Sequence, residues 1–500
     1  MLEFALSVFG VSHLQKYRQA GRVVFLGILL VSFERIQVGA VGESAHPNIV
    51  FILADDMGYG DLKVYNRESK IPAPHLDKLA SEGLVFTDAH AGGSTCKPSR
   101  YALMTGRFAA RMRRNGDRNG PLIQAGRASV ASVLREEGYR TAMVGKWHLG
   151  FDQKARKPGA SAKGFAFDYD QALTGGPMDR GFDSYFGMHA SLDIPPYFFI
   201  RDRSAVMAPT ETVAASTSVG EGEGWNRIQG KFWREGGRSP DFHHVEVTPR
   251  FAGEACRVIE DHVGDKPLFL YLALPSPHTP WLPTEEFVGK SGAGLYGDFM
   301  MQVDSVVGQV MASLQKAGLS ENTLLMFSSD NGPVWYEKDA AKFGHRSTGP
   351  LRGAKGSVWE GGHRVPFIAR WPARIKAGTR SGHTVSFVDV FATCAEIAGR
   401  KSLSKGVGQD SESFLSILLN PERSHVARPP ILHGSRVIRD DDWKLIATKG
   451  SRGFTADRNQ PFGIELYNLK DDLSEQKNLA DSMPHRVSQL RAKIGEILGN

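Results

Sequence analysis

Four polar clusters follow four apolar runs. Asp55 and Asp56 come directly after Asn48 to Ala54, Lys146 and His148 after Thr141 to Val144, His278 after Leu268 to Leu274, and Asp330 with Asn331 after Thr323 to Ser328. Each run reads as a buried strand, and ligands of open α/β sheets gather at the carboxyl ends of the strands. Four strand ends therefore direct these groups toward one site. Asp55, Asp56, Asp330 and Asn331 offer only oxygen ligands, which suit a hard divalent cation such as calcium or magnesium better than zinc. Lys146, His148, His278 and Lys355 add positive charge and proton donors. A cation ringed by acids and bases suits transfer of an anionic group, with charge stabilised on its non-bridging oxygens. Singly, an Asp-Asp pair or an Asp-Asn-Gly is an ordinary turn or helix cap, and a lone histidine an ordinary surface or core residue. The joint placement carries the reading.

Three cysteines cannot form a disulfide framework in a chain of 500 residues. Cys256 and Cys394 lie in helical patterns and read as small buried apolar side chains. Cys96 sits among Gly92, Gly93, Ser94, Thr95, Pro98 and Ser99, a turn-rich stretch between periodic segments.

The elements that must position these residues alternate short apolar runs with amphipathic stretches, the pattern of a mostly parallel sheet covered by helices. Helices are expected at about His75 to Glu82 and Ala128 to Glu137, and on the apolar spacings of Phe251 to Ile259 and Phe299 to Leu314. Thr323 to Ser328 is the last clear strand of the series, and about Lys154 to Pro240 reads as loops or insertions over the sheet. After Pro429 and Pro430, short apolar segments at Ile431 to His433, Trp443 to Ala447 and Ile464 to Leu469 predict a small antiparallel sheet, with Met483 to Leu498 a closing helix. The expected division is a leader over 1–40, a catalytic domain over 46–425 and a C-terminal subdomain over 426–500.

Cys96-Lys97-Pro98-Ser99-Arg100, followed by Leu103-Met104-Thr105-Gly106-Arg107, resembles the C-x-P-S-R and L-x-T-G-R signature of the type I sulfatases in the alkaline phosphatase-like superfamily. Gly138-Tyr139-Arg140-Thr141 through Gly145-Lys146-Trp147-His148-Leu149-Gly150 is similar to that family's second signature. The strings ADDMGYGD, PHTP, SSDNG, GPLRGAKGSVWEGG, DWKLI and ELYNL also match in family order, so the resemblance covers about Pro47 to Leu479. Both main signatures are highly specific and show no departure, whereas Lys154 to Phe242 does not align.

The resemblance implies an alkaline phosphatase-like α/β fold, a large mostly parallel sheet flanked by helices with a small C-terminal antiparallel sheet plus helix. It implies that an export-linked modifying enzyme oxidises Cys96 to formylglycine, with Pro98 and Arg100 as recognition elements. A hydrated aldehyde carries two hydroxyls on one carbon, so one attacks sulfur and the other expels sulfate and restores the aldehyde. Asp55, Asp56, Asp330 and Asn331, with the modified Cys96, would hold one calcium ion. Arg100 and Lys146 would hold the modified side chain in its ionised, oriented form. His148 would take the proton from the second hydroxyl, and His278 and Lys355 would bind sulfate and protonate the departing alcohol. The expected substrate is a sulfated saccharide, with a small aryl sulfate as the alternative. Trp281, Trp335, Tyr336, His345 and Arg346 flank the motifs without an assigned role.

Rival readings fit less well. A phosphatase or phosphonate hydrolase of the same superfamily resembles a two-metal site with a Ser or Thr nucleophile and extra histidine ligands, and a binding protein without catalysis would have lost part of the set. Gly349 to Ser357 is no phosphate loop, because Ala354 separates Gly353 from Lys355. His243, His244 and Glu246 lack a helical zinc frame. The composition, 41% hydrophobic and 23% charged, is that of a globular chain. Its net charge of +7 is scattered, without a helix-long basic stripe, so nucleic acid is not an expected partner. Lys16, Arg18 and Arg22, the apolar run Val23 to Phe33 and the small residues near Ala40 have the order of a secretory signal peptide. That run of about eleven residues falls short of the roughly 20 that span a bilayer, so export without a stable membrane span is expected.

Overall fold

The computed structural model describes residues 46–112, 120–152, 167–220, 224–423, 427–447, 453–454 and 463–499. The expected leader over 1–40 lies outside the described residues. Gly42–Asn500 form one compact unit.

The sheet has ten strands, in the order Thr379–Ser381, Leu84–Phe86, Phe367–Arg370, Thr323–Ser329, Asn48–Ala54, Leu268–Ala273, Arg140–Lys146, Ser184–Met188, Ile200–Arg201 and Ser204–Ala205. The five central strands, from Thr323–Ser329 to Ser184–Met188, run parallel. Every residue of Asn48–Ala54, Leu268–Ala273 and Thr323–Ser329 is buried. Covered on both faces, such strands carry apolar side chains on both, which is why they read as unbroken runs.

Alternation along Asn48–Ala54 divides the core. Ile49, Phe51 and Leu53 join a cluster with residues of the helices Cys96–Thr105, Val130–Glu136 and Phe387–Ile397. Val50, Ile52 and Ala54 join another with residues of Pro74–Ser81, Val247–Glu260 and Gly294–Lys316. Two helical layers thus cover the sheet, as the pattern predicts. Cys256 and Cys394 fall on helices as expected, Cys394 fully buried and Cys256 partly.

Three elements differ from expectation. Ser184–Met188, inside the stretch read as loops, is a strand that pairs parallel with Arg140–Lys146 and leads into two short antiparallel strands. Phe367–Arg370 follows the supposed last strand and pairs antiparallel with it. Cys96, read as lying in a turn, is the first residue of the helix Cys96–Thr105, which ends at Gly106 in the left-handed conformation that helix C-termini favour.

The C-terminal sheet has four strands, Ile431–Leu432, Val437–Asp440, Trp443–Ile446 and Glu465–Asn468, and the helix Pro484–Leu498 closes the chain. Ile438, Leu445 and Leu490 pack in one cluster with Ala102, Phe108 and Val388, so this layer is seated on the helices of the main sheet. Among the described residues, no helix is long and apolar enough to cross a membrane.

Candidate active site

The parallel strands end nearly flush. Ala54 pairs with Ser329, Leu53 with Ala273, and Ala273 with Gly145. The residues just beyond therefore meet at one edge of the sheet. The closeness requires Gly145: its φ is 110°, and a Cβ there would lie 2.0 Å from the Ala273 carbonyl oxygen.

Asp55, Asp56, Asp330 and Asn331 are all buried there. The helix starting at Cys96 contributes the fifth group. Four residues along it, Arg100 lies on the same face, fully buried. The Cys96 thiol lies 3.4 Å from Asp55 Oδ1. Arg100 Nε donates to Asp330 Oδ2 at 2.9 Å, its NH2 is 3.5 Å from Asp55 Oδ2, and its NH1 donates to the Lys146 carbonyl at 3.0 Å. Lys146 Nζ is paired with Asp55 Oδ2. Lys355 Nζ reaches both oxygens of Asp56, at 2.6 and 2.7 Å. Asn331 Nδ2 donates to Asp56 Oδ1 at 2.7 Å, while its Oδ1 is buried without a hydrogen-bond partner. His278 Nε2 lies 3.6 Å from Asp56 Oδ2.

Buried charges survive only when compensated. Here Arg100, Lys146 and Lys355 face Asp55, Asp56 and Asp330. Burial, the largest influence, pushes the Asp55 carboxyl up, but Lys146 foremost, with His278, Arg100 and Lys355, outweighs it and holds it well below the usual range. Asp330 is pushed up by burial and then by Asp55. Burial, followed by Asp330 and Asp55, also pushes the Cys96 thiol far up. An unmodified thiol there is neutral and a poor nucleophile.

His148 is buried beyond the end of Arg140–Lys146. Its backbone nitrogen donates to the His189 carbonyl at 3.1 Å, and its ring Nδ1 has no hydrogen-bond partner. Burial, then Lys146, Lys97, Arg100 and His278, hold this ring well below the usual imidazole range, hence neutral. Asp56 and His148 both have left-handed backbones, with φ of 68° and 56°. Such strain costs on the order of 1–3 kcal/mol per residue and collects at functional sites.

Every site residue singled out in the sequence thus lies at or beside this strand edge. Trp281, Trp335 and His345 pack among other residues, whereas the Tyr336 hydroxyl is close enough to feel the charges of Lys355 and Asp56. Trp281 and Trp335 are buried and pack with Trp225 and Tyr296. His345 is buried with Nε2 2.9 Å from Asp61 Oδ1. Asp193, which the sequence did not single out, lies with Oδ1 4.0 Å from His278 Nδ1. It follows the unrecognised strand Ser184–Met188, and strand-end position is the signal that would have found it.

A second buried group, His90, His363 and His433, lies beside the C-terminal sheet. His363 and His433 stack with ring centroids 3.7 Å apart and planes 22° apart. His90 Nδ1 lies 3.1 Å from His363 Nδ1, and the His90 and His433 ring centroids are 5.3 Å apart, so the three rings form one buried cluster.

The Sulfatase family profile matches residues 47–400. The N-acetylgalactosamine-6-O-sulfatase of Bacteroides thetaiotaomicron is 32% identical over 495 residues, covering 91% of this chain and 94% of that protein. Arylsulfatase G of Rattus norvegicus is 30% identical over 516 residues, covering 96% of this chain and 90% of its own. A solved Bacteroides thetaiotaomicron structure, described with the metabolism of multiple glycosaminoglycans, superposes with a TM-score of 0.77 at 30% identity, covering 91% of this chain and 100% of that one. Likeness of this extent, over a strand edge where both signatures meet, makes the chain a member of the sulfatase family of sulfuric ester hydrolases, in the alkaline phosphatase-like superfamily.

Proposed function

We propose that this sulfatase is exported with residues 1–40 as its leader and hydrolyses sulfate esters of saccharides, using formylglycine made from Cys96 and one calcium ion. The observation that carries the reading is Cys96 at the first turn of its helix, 3.4 Å from Asp55, among buried carboxylates and cations. The donor set fits a hard cation. Asp55, Asp56 and Asp330 are three buried carboxylates, and the Asn331 Oδ1 left without a partner is a further hard oxygen. These four, with residue 96, would hold calcium, whose charge when bound polarises sulfate oxygens. Formylglycine would supply the hydrated aldehyde as nucleophile.

The chain's own groups divide the remaining work. Arg100 and Lys146 orient the side chain at 96 and offset its negative charge. Lys355 and His278, which both face Asp56, bind the incoming sulfate, and His278 gives a proton to the departing alcohol oxygen. His148, held neutral, accepts a proton from residue 96 when sulfate leaves.

A saccharide substrate is supported by the relatives, one named for N-acetylgalactosamine 6-O-sulfate and one solved structure described with glycosaminoglycans. The test is sulfate release from a panel of defined sulfated sugars and from matched aryl sulfate and aryl phosphate, with mass spectrometry of the peptide holding Cys96. Sulfate release by protein carrying the aldehyde is the expected outcome. Faster cleavage of the phosphate, or turnover by protein whose Cys96 is wholly unmodified, would overturn the reading.

A further inference from the structure

We propose that Asp193 is a positioning residue for His278, supplying the fixed negative charge behind the imidazole that protonates the leaving alcohol; this rests on the role given to His278 above. Asp193 is 5% exposed. Its Oδ2 is paired with Arg234 NH1, and the same NH1 donates to the Asp193 carbonyl at 3.0 Å. One guanidinium thus holds both the side chain and the backbone of this residue. The other oxygen, Oδ1, is buried with no hydrogen-bond partner and lies 4.0 Å from His278 Nδ1. A buried carboxylate oxygen left unpaired costs more than an ordinary missing hydrogen bond, so its retention beside an imidazole calls for a charge that it serves.

The ring defines that charge. His278 Nδ1 lies 2.6 Å from the Thr279 carbonyl oxygen. A carbonyl only accepts, so Nδ1 carries the hydrogen. The opposite nitrogen, Nε2, faces Asp56 Oδ2 at 3.6 Å, on the reaction side. The Asp193 oxygen stands on the Nδ1 side, where its negative charge faces the Nδ1 hydrogen without competing for the nitrogen that faces Asp56. The same loop registers the other histidine, since the His189 carbonyl accepts from the His148 backbone nitrogen at 3.1 Å.

The experiment compares full-length enzyme with Asp193→Asn, Asp193→Glu, His278→Ala and the Asp193→Asn/His278→Ala double variant. The substrates are aryl sulfates of graded leaving-group acidity. Asp193→Asn keeps the shape and the Arg234 contact but removes the charge. It should steepen the leaving-group dependence, with kcat/KM for the poorest leaving group falling on the order of tenfold to a hundredfold, part of the roughly 10²–10⁴ that a positioned general acid contributes. The best leaving group should lose less. In the His278→Ala background the same substitution should add less than about twofold, as for residues acting as one unit. Asp193→Glu restores the charge one methylene away and should give an intermediate slope, which keeps the proposal testable if the Asn variant does not fold. Equal losses across the series, or losses that persist without His278, would make Asp193 merely structural and overturn the proposal. If His278→Ala alone leaves the leaving-group dependence unchanged, the acid role of His278 fails and this proposal with it, a result read from the single variant.

Discussion

Arg100 reaches Asp330 through two nitrogens that converge on one oxygen: Nε at 2.9 Å and NH2 at 2.8 Å both meet Oδ2. The other oxygen, Oδ1, accepts from the Asp56 backbone nitrogen at 3.3 Å. A helix and two strand ends are therefore locked through one carboxylate. Removing one partner of a fully buried pair leaves an uncompensated charge, so Arg100→Gln should destabilise the fold by about 3–5 kcal/mol. Arg100→Lys keeps the charge, loses the fork and should cost less. Denaturant unfolding of the two variants checks the order.

Cys96→Ala should leave a folded protein with almost no sulfatase activity, because among the described residues the thiol makes a single side-chain hydrogen bond, to Asp55. Cys96→Ser should stop after one turnover, since a lone hydroxyl can attack but cannot expel sulfate. Burst kinetics on an aryl sulfate distinguish the two. Sustained turnover by either purified variant is the result that sinks the mechanism.

How much of this was legible follows from burial. Asn48–Ala54, Leu268–Ala273 and Thr323–Ser329 are covered on both faces, so each carries an unbroken apolar run, Ile49 to Ala54, Leu268 to Ala273 and Leu324 to Phe327, and their ends mark the site. Ser184–Met188 is equally part of the sheet, but its sequence SYFGM is short and broken by Gly187. A Cβ at Gly187 would lie 1.9 Å from the Gly145 carbonyl oxygen, so the backbone contact that seats the strand also removes the apolar residue that would reveal it. Asp193 was missed with it. Gly92, Gly93, Ser94 and Thr95 before Cys96, and Pro98 after it, have the composition of a turn. Pro98 instead sits in the first helical turn, where its missing N–H costs no helical hydrogen bond.

Metal removal should lower activity, and calcium should restore it better than zinc, because the proposed ligands are carboxylate and carboxamide oxygens. Asn331→Ala removes the carboxamide oxygen that has no protein partner and should weaken metal retention. Elemental analysis after dialysis against chelator reads retention independently of catalysis. Full activity in protein shown to hold no divalent ion would remove calcium from the mechanism.

Gly145→Ala tests the strand edge without touching a charged group. Its φ of 110° is strained for any residue with a Cβ, and the added methyl would collide with the Ala273 carbonyl of the neighbouring strand at 2.0 Å. A loss of roughly 3 kcal/mol, at the upper end of ordinary single substitutions, is expected in denaturant unfolding. Unchanged stability would mean that these strands are not packed this closely.

The last prediction concerns His148, whose proposed step differs in kind from that of His278. Burial and its cationic neighbours hold the ring neutral, and its Nδ1 has no hydrogen-bond partner, so it is set to accept a proton. If it accepts that proton as sulfate leaves residue 96, the step is the same for every substrate, whatever alcohol has already departed. His148→Ala should then depress turnover of good and poor leaving groups to one common ceiling, and the first alcohol should still be released in a burst. Intact-protein mass spectrometry of the variant quenched during turnover should show added sulfate, on the peptide that holds residue 96. A slow variant that carries no added sulfate, or whose rate still follows leaving-group acidity, would move His148 from sulfate release to an earlier step.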